Sequence, residues 1–241
     1  MAVDGAAANG RLTRSAMASV GIALVAVAAV AIAVSREPTL TPGYVPKVLA
    51  VFAVVAALIV AHLRAHPFER FGIANQITLG RVAVTALLAG LIGEAATPSV
   101  AWLAVILGGI AAALDAVDGP LARATGTSSA FGARFDMETD ALLVLVLAAL
   151  AWQLGKAGPW VLASGLARYA FIAAGWALPW MQRPLEPSQR RKTVCAVQMA
   201  ALVAALALDP PASALVAAAA LALLCYSFAA DTLRLHSRKG K

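Results

Sequence analysis

Four aspartates lie close together in a chain that has few acids elsewhere. Five of the twelve acidic residues fall between residues 115 and 140, in the segment DAVDGPLARATGTSSAFGARFDMETD. Asp115 and Asp118 are three residues apart, and Asp136 and Asp140 are four apart. In a helix these spacings place both members of each pair on one face, about 60° and 40° apart. If the two helices are antiparallel neighbours, joined by the link rich in Gly, Ser and Thr, the four carboxylates converge.

Converging carboxylates repel one another and take up protons unless cations neutralise them. The segment contains no His or Cys, so its ligands are all oxygen, which suits Mg²⁺ or Mn²⁺ and argues against zinc. Two such ions can clamp a diphosphate and stabilise the charge that develops in phosphoryl transfer. The sequence therefore predicts a two-metal site whose ligands are Asp115, Asp118, Asp136 and Asp140.

Small residues surround these acids. Gly119 follows Asp118, and Gly132 shortly precedes the second acidic pair, so the backbone is open to a flat or anionic ligand at both places. Ala122 keeps the same face small, and Arg123 can pair with phosphate or with Asp118. Taken alone, however, an Asp-Gly-Pro sequence is also typical of a simple turn.

Long apolar segments must position these residues. The chain has 241 residues, of which 61% are hydrophobic and only 13% charged, whereas about a quarter are charged in a soluble domain. A membrane-spanning helix needs about 20 mainly apolar residues. Eight such runs occupy most of the chain: residues 16–34, 48–63, 77–96, 99–117, 137–154, 160–180, 193–208 and 212–233. We therefore predict an all-α integral membrane protein of eight transmembrane helices, with no room for a separate soluble domain.

The basic residues predict the orientation of these helices. Lys and Arg accumulate on the cytoplasmic side of a membrane, and with eight spans most of them fall on one side, together with both termini and the four aspartates. We therefore predict a multi-pass protein of the inner (cytoplasmic) membrane whose active site faces the cytoplasm. The net charge of +7 is explained by topology and anionic headgroups, so no nucleic-acid partner is predicted.

The acidic segment resembles the signature of the CDP-alcohol phosphatidyltransferase family. The matching residues are Asp115-x-x-Asp118-Gly119-x-x-Ala122-Arg123, then eight residues, then Gly132-x-x-x-Asp136-x-x-x-Asp140. Eight specified residues at fixed offsets make a strong signal. The six apolar runs from residue 77 onward also resemble the six-helix core of the family. The resemblance implies a six-helix catalytic domain over residues 67–241, after a cytoplasmic tail and two extra transmembrane helices in residues 1–66.

The resemblance also implies an activity. Members of the family transfer a phosphatidyl or related phosphoalcohol group from a CDP-linked donor to an alcohol and release CMP. By resemblance, Asp140 would deprotonate the attacking hydroxyl near the two metal ions. The cytidine and diphosphate would be bound by Asp118, Gly119, Ala122, Arg123 and Gly132. The resemblance further implies a homodimer.

A second match lies upstream, in Asn75-x-x-Thr78-x-x-Arg81. It resembles the start of the first core helix of the family and implies that Asn75 and Thr78 contribute to nucleotide binding. Each residue also has an ordinary explanation. Asn75 could be a helix N-cap, Thr78 could bond to its own helix backbone, and Arg81 could be a topology residue at the membrane boundary.

Basic residues in the second half of the chain are candidates for acceptor binding. Arg168 lies inside an apolar run, where a cation is more often functional. Arg190, Arg191 and Lys192 precede the seventh run and could form an anion pocket, although they could equally be a cytoplasmic anchor. A pocket of this kind predicts a phosphorylated acceptor, such as inositol phosphate or glycerol phosphate, and CDP-diacylglycerol as donor.

Two other functions fit parts of the sequence. A member of the same family could use a soluble CDP-alcohol as donor and diacylglycerol as acceptor. A cation or proton transporter could use the acidic cluster as its ion pathway. The transporter explains less, because the acids lie at one surface of the predicted bundle.

Overall fold

The computed structural model describes residues 2–63, 66–124, 129–182 and 188–237, and every regular element in these residues is helical. Two 3₁₀ segments, Pro159–Leu162 and Pro179–Gln182, flank the sixth α-helix. The α-helices are α1 (Ala2–Val34), α2 (Tyr44–His62), α3 (Ile73–Gly90), α4 (Pro98–Ala124), α5 (Ala130–Gln153), α6 (Ala163–Ala177), α7 (Gln189–Ala207) and α8 (Ala212–Ser237). The all-α fold with eight helices is confirmed.

Five of these helices are long and apolar enough to cross a membrane, namely α1 from Gly10, α2, α3, α4 as far as Val117, and α8. Large apolar side chains cover the exterior; Ile22 is 73% exposed and Trp176 is 78% exposed. Such a surface is suited to lipid and not to water. The chain is a multi-pass integral membrane protein. Of the other helices, α5 and α7 carry several charged residues and α6 has 15 residues.

The chain divides into two compact units, Met1–Asp140 and Ala141–Lys241. In the first unit, α3 packs against α1, α2 and α4. In the second unit, α8 packs against α6 and α7. The two extra N-terminal helices therefore share a unit with α3 and α4, the helices that begin the predicted core.

A buried carboxylate fixes α2 to the end of α3. Glu94 accepts hydrogen bonds from the Thr41 backbone N–H at 2.6 Å and from the Thr41 hydroxyl at 2.9 Å, and Lys47 Nζ lies 2.5 Å from it. Burial alone would raise the pKa of Glu94, but the hydrogen bonds from Lys47 and Thr41 outweigh it and the pKa is lowered. The carboxylate is therefore charged and paired at neutral pH.

The same two helices approach closely at Gly90. A Cβ atom there would lie only 2.5 Å from Val48 Cγ2 and 2.8 Å from the Tyr44 ring. The Tyr44 hydroxyl donates to the Leu87 carbonyl at 3.2 Å. Only a residue without a side chain allows this contact, so Gly90 sets the distance between α2 and α3.

Several helix ends differ from the hydropathy prediction. The third run was predicted to end at residue 96, but α3 ends at Gly90, and Gly93 (φ +84°) lies in the turn that follows. The fifth run was predicted to begin at residue 137, but α5 begins at Ala130, where the Ser129 hydroxyl accepts the Gly132 N–H at 2.9 Å and caps the helix. Hydropathy marks apolar stretches, whereas caps and glycines determine where the helices end.

Candidate active site

The first unit brings three of the four predicted aspartates together. One carboxylate oxygen from each of Asp115, Asp136 and Asp140 lies within 4.8 Å of the others. Asp115 belongs to α4, and the other two belong to the first turns of α5. Asp118 lies in α4, one turn beyond Asp115, but its side chain is outside the described residues.

A buried arginine lies among these carboxylates. Arg81 of α3 is 0% exposed. Its Nη1 lies 2.9 Å from Asp115 Oδ1 and 2.5 Å from Asp136 Oδ1, and its Nη2 donates to Asp140 Oδ1. A guanidinium stays protonated in proteins and can serve several acceptors in one plane. Three carboxylates and one guanidinium together carry a net formal charge of −2, so Arg81 compensates the cluster only in part.

The donor set fits a divalent metal ion. All three groups offer carboxylate oxygen, which Mg²⁺ and Mn²⁺ prefer. Oxygens that share one Mg²⁺ are about 3–4 Å apart, because each lies about 2.1 Å from the ion, and the 4.8 Å limit on the cluster is compatible with that separation. Arg81 contacts the same oxygens, so ions and guanidinium would share these ligands.

Asn75 connects the first turn of α3 with the first turn of α5. Its Nδ2 donates to the Phe71 carbonyl at 2.5 Å and lies 2.9 Å from His66 Nε2. A Cβ on Gly132 would lie 3.0 Å from Asn75 Oδ1. Asn75 is inside α3 and Gly72 holds the N-cap position, so the N-cap explanation of Asn75 is wrong. The upstream motif, which contains Asn75, therefore lies against the acidic segment at Gly132. A side chain at position 132 would crowd Asn75.

The other two residues of the upstream motif differ in their environment. Thr78 is buried, and its hydroxyl donates to the Ala74 carbonyl at 3.1 Å, so it does bond to its own helix backbone. Arg81 is not a topology residue at the membrane boundary, because it is fully buried and paired with the aspartates.

His66 is buried in an aromatic cluster beside Asn75. Its ring lies 5.1 Å from the ring of Phe131, 5.7 Å from that of Phe68 and 6.4 Å from that of Phe71. Burial lowers the pKa of His66, although hydrogen bonds with the backbone of Phe68 and Phe71 oppose the shift. A cavity of about 390 Å³ opens here, lined in part by His66 and Asn75.

Comparison with protein families identifies the chain. The sequence profile of the CDP-alcohol phosphatidyltransferase family matches residues 71–226, more than half of the chain. The chain belongs to this family. The match begins just before α3, ends within α8 and includes Arg81 and all four aspartates, so the predicted family is confirmed. No curated protein and no solved structure matches the chain significantly.

Membership in this family establishes the general activity. The protein is a transferase of phospholipid biosynthesis that uses a CDP-alcohol as substrate in a membrane. The Asp115, Asp136 and Asp140 triad supplies a group of ligands that could hold the divalent metal typical of the family. Gly119, Ala122 and Arg123 lie in α4, but the surroundings of these positions are outside the described residues.

The basic residues predicted to bind the acceptor belong to the second unit. Arg190 of α7 donates to the Asp231 carboxylate, and Arg191 Nη1 lies 3.6 Å from the same oxygen. Lys192 is exposed, and Arg168 of α6 is half-buried. The structure thus brings Arg190 and Arg191 together at one carboxylate.

Sequence reasoning missed two residues of these clusters. Arg81 matched the upstream motif, but nothing in its spacing indicated three aspartate partners. Asp231 is 3% exposed in α8, and its partners are about 40 residues earlier in the chain. An acid inside an apolar run was the available signal, because a carboxylate at such a position needs a partner.

Proposed function

We propose that this family member transfers a phosphatidyl group from CDP-diacylglycerol to the hydroxyl of a phosphorylated alcohol, of the inositol phosphate or glycerol phosphate class, and releases CMP. It is thus a phosphotransferase for substituted phosphate groups, of the EC 2.7.8 type. The observation that carries the proposal is the convergence of Asp115, Asp136 and Asp140 inside the matched family segment. We further propose that the site faces the cytoplasm and that the protein acts as a homodimer.

The four signature aspartates would hold two divalent ions, Mg²⁺ or Mn²⁺. When bound, such ions neutralise the donor's diphosphate and stabilise the charge that develops on it. The protein's own contribution is a fixed set of oxygen ligands. Arg81 contributes to that arrangement, since its two Nη atoms contact three of the carboxylates.

The proposed reaction is a direct displacement at phosphorus. The acceptor hydroxyl oxygen forms a bond to the phosphatidyl phosphorus, the bond from that phosphorus to the CMP oxygen breaks, and its electron pair leaves with CMP. Asp140 takes the hydroxyl proton. The Asp140 side chain is 17% exposed, compared with 25% for Asp115 and 38% for Asp136. Of the three carboxylates, that of the proposed base, Asp140, is therefore the best shielded from bulk water.

We assign the nucleotide to the region near the aspartates, where α3 and α5 begin and α4 ends. Its proposed ligands are Asn75, Thr78, Asp118, Gly119, Ala122, Arg123 and Gly132. Support comes from the close approach of Gly132 to Asn75 and from the cavity that Asn75 lines. Bare backbone at Gly132 leaves room for a ligand that a larger side chain would exclude.

We assign the acceptor's phosphate to Arg168, Arg190, Arg191 and Lys192. Support comes from the charge of this cluster alone. Arg190 donates to the Asp231 carboxylate, and Arg191 Nη1 lies 3.6 Å from the same oxygen, so two guanidinium groups lie side by side here. Guanidinium groups bind phosphate in a bidentate manner, which favours a phosphorylated acceptor over a free alcohol such as serine.

A CMP-release assay tests the donor, the acceptor and the metal together. Purified protein is given CDP-diacylglycerol with inositol phosphate, glycerol phosphate or free alcohols, in Mg²⁺, in Mn²⁺ or in EDTA. We expect release with a phosphorylated acceptor and metal. Consumption of a soluble CDP-amino alcohol with diacylglycerol, while CDP-diacylglycerol stays intact, would support the reversed reaction instead.

The decisive variant is Asp136→Asn, which keeps the size of the side chain and removes its charge. We expect it to abolish CMP release, because neutral amide oxygen is a poor replacement for an anionic metal ligand. Asp209→Asn is the matched control, since the Asp209 side chain is 94% exposed and pairs with Lys156. An Asp136→Asn enzyme as active as this control would refute the proposed function.

A further inference from the structure

A second cavity lies in the first unit between α1 and the start of α3. Its volume is about 550 Å³, and Arg11, Arg14 and Arg70 line it together with Gln76 and Gly72. None of these five residues belongs to the family signature. Arg70 and Gly72 also line the cavity beside His66, whereas Arg11, Arg14 and Gln76 line only this one. Three guanidinium groups around one cavity are suited to an anion, because each can donate two parallel hydrogen bonds to phosphate oxygens.

The walls of this cavity are joined by hydrogen bonds. The Ser15 hydroxyl of α1 accepts the Phe71 backbone N–H at 3.3 Å, and Gln76 Nε2 donates to the Ser19 hydroxyl at 3.3 Å. These contacts hold α1 against the first turn of α3. The three exposed arginines therefore line one concave region between α1 and the start of α3.

The charge of the cavity suits a doubly charged anion. Arg11 pairs with Glu69 at 2.7 Å, and both side chains are 57% exposed, so this contact holds Arg11 only weakly. The three arginines and Glu69 carry a net formal charge of +2. A phosphomonoester carries about −1.5 to −2 at pH 7, whereas the phosphodiester of an ordinary phospholipid carries about −1. The charge of a phosphomonoester therefore matches the charge of the cavity more closely than that of a phosphodiester does.

The position of the cavity indicates that this phosphate belongs to a lipid. The apolar run of α1 begins at residue 16, so Arg11 and Arg14 lie just before it, where lipid headgroups are expected. Val25 lies eleven residues after Arg14 and therefore about 20° away around the helix, and its side chain is 70% exposed. An acyl chain can follow this face of α1 while its phosphate reaches the arginines.

We propose that the cavity between α1 and α3 binds the phosphate of a phosphomonoester lipid headgroup, with Arg14 and Arg70 as its main ligands and Arg11 as the third. The three proposed ligands lie outside the family match, and two of them, Arg11 and Arg14, belong to the extra N-terminal helix. It gives α1 a binding function of its own. The inference does not depend on the proposed transferase reaction.

Binding of phosphatidic acid, the simplest phosphomonoester lipid, tests this site. The full-length protein in mild detergent is titrated with phosphatidic acid or with phosphatidylcholine, and bound lipid is counted by native mass spectrometry. EDTA is present throughout, so that no metal at the aspartates can bind the phosphate. We expect a clear preference for phosphatidic acid in the wild type. Equal binding of the two lipids would overturn the proposal.

Charge variants locate the site. Arg14→Gln with Arg70→Gln should weaken phosphatidic acid binding about tenfold or more, because charge-assisted hydrogen bonds are lost. Arg36→Gln with Arg234→Gln removes two exposed arginines elsewhere and should leave binding unchanged. An equal loss in both double variants would mean that diffuse surface charge attracts the lipid, and it would refute a built site. Arg14→Ala with Arg70→Ala repeats the test, and circular dichroism verifies that each protein is folded.

Two further experiments distinguish a lipid phosphate from free phosphate as the ligand, and the cavity from the aspartate cluster as the site. If millimolar inorganic phosphate displaces phosphatidic acid, the cavity also accepts free phosphate; if it does not, the site requires the lipid, and both results support a phosphate site. Asp136→Asn should bind phosphatidic acid like the wild type even when it releases no CMP. Loss of lipid binding in Asp136→Asn would place the lipid at the aspartates and overturn the inference.

Discussion

Arg81 of α3 is fully buried and contacts three aspartates that belong to α4 and α5. A basic residue near the start of an apolar run is typical of a topology anchor. Its partners Asp136 and Asp140 are 55 and 59 residues away, so no local pattern pairs them. The two aspartate pairs could be proposed from the sequence, because the spacing within each pair is local. The arginine that contacts Asp115, Asp136 and Asp140 could be recognised only once α3 was placed against α4.

Replacing Arg81 tests two effects separately: whether Arg81 stabilises the folded aspartate cluster, and whether it competes with metal ions for the carboxylates. In Arg81→Gln, three carboxylates lose a buried cationic partner, which typically costs about 3–5 kcal/mol. We expect a clearly lower melting temperature in EDTA. We also expect tighter Mn²⁺ binding, since a competing cation has gone. Thermal unfolding and Mn²⁺ titration by electron paramagnetic resonance measure the two effects.

The matched control is Arg134→Gln, which removes an exposed arginine from α5. It should leave both the melting temperature and Mn²⁺ binding near the wild-type values. If Arg81→Gln melted in EDTA at the same temperature as this control, Arg81 would not stabilise the aspartate cluster.

His66 should make the stability of the protein depend on pH. Burial lowers the pKa of His66 in the folded state below the ordinary value of 6.5. The unfolded chain therefore binds the proton more readily, so the stabilisation is present above pH 6.5 and is lost as the pH falls through the folded-state pKa. We expect the melting temperature to fall between pH 7.5 and pH 5.5. His66→Gln should reduce this fall.

His62→Gln provides the comparison, because His62 is exposed on α2. This variant should keep the pH dependence of the wild type. The same fall in melting temperature in His66→Gln and in the wild type would show that another group causes it.

At the scale of the helices, hydropathy predicted the number, the order and most of the length of the elements. It failed at ends that short-range polar contacts decide. The Ser129 hydroxyl caps α5, which begins seven residues before the predicted apolar run. Hydropathy measures only how well side chains partition into lipid, so it does not detect such a cap. The predicted sixth run, residues 160–180, follows Pro159 and contains Pro179, and 3₁₀ segments replace both of its ends.

Gly132 tests whether the starts of α3 and α5 must meet closely. An added Cβ would lie 3.0 Å from Asn75 Oδ1 and 3.2 Å from the Ser129 hydroxyl. The Asn75 amide is held by Phe71 and His66, so it cannot move away without losing those contacts. We expect Gly132→Ala to lower the melting temperature and to raise the KM for the CDP-linked donor.

Gly109→Ala is the matched substitution inside a helix. No atom lies within 4 Å of a Cβ built at this position of α4, so alanine should be neutral or stabilise the helix by up to about 1 kcal/mol. A Gly132→Ala protein that behaved like Gly109→Ala in both measurements would show that Asn75 has room to adjust.

At the scale of the whole molecule, the family match and the compact units have different boundaries. The match covers residues 71–226, whereas the first unit ends at Asp140 and includes α1 and α2. Sequence reasoning predicted a boundary near residue 66, which stays a prediction. Lys47 of α2 pairs with Glu94, which follows α3, and Gly90 of α3 lies against Tyr44 and Val48 of α2. These contacts join residues 42 to 47 positions apart in the sequence. Hydropathy cannot detect such contacts, because it measures each run separately.

Divalent metal should therefore stabilise the first unit, which contains Asp115, Asp136 and Asp140. A ligand that binds only the folded state adds about 2.7 kcal/mol at a concentration one hundred times its Kd. We expect Mg²⁺ or Mn²⁺ to raise the melting temperature over that in EDTA. Hydrogen exchange should slow in α3, at the end of α4 and at the start of α5, because the ions would join ligands from α4 and α5 and share them with Arg81.

Asp136→Asn should lose most of this protection, and Asp209→Asn should retain it. Metal that slowed exchange equally in both variants would be bound elsewhere, since only one of them changes the cluster. Metal that left exchange unchanged in the wild type would mean that the aspartate cluster does not hold the ion. The cluster would then be a structural ion pair in a protein that carries the family signature.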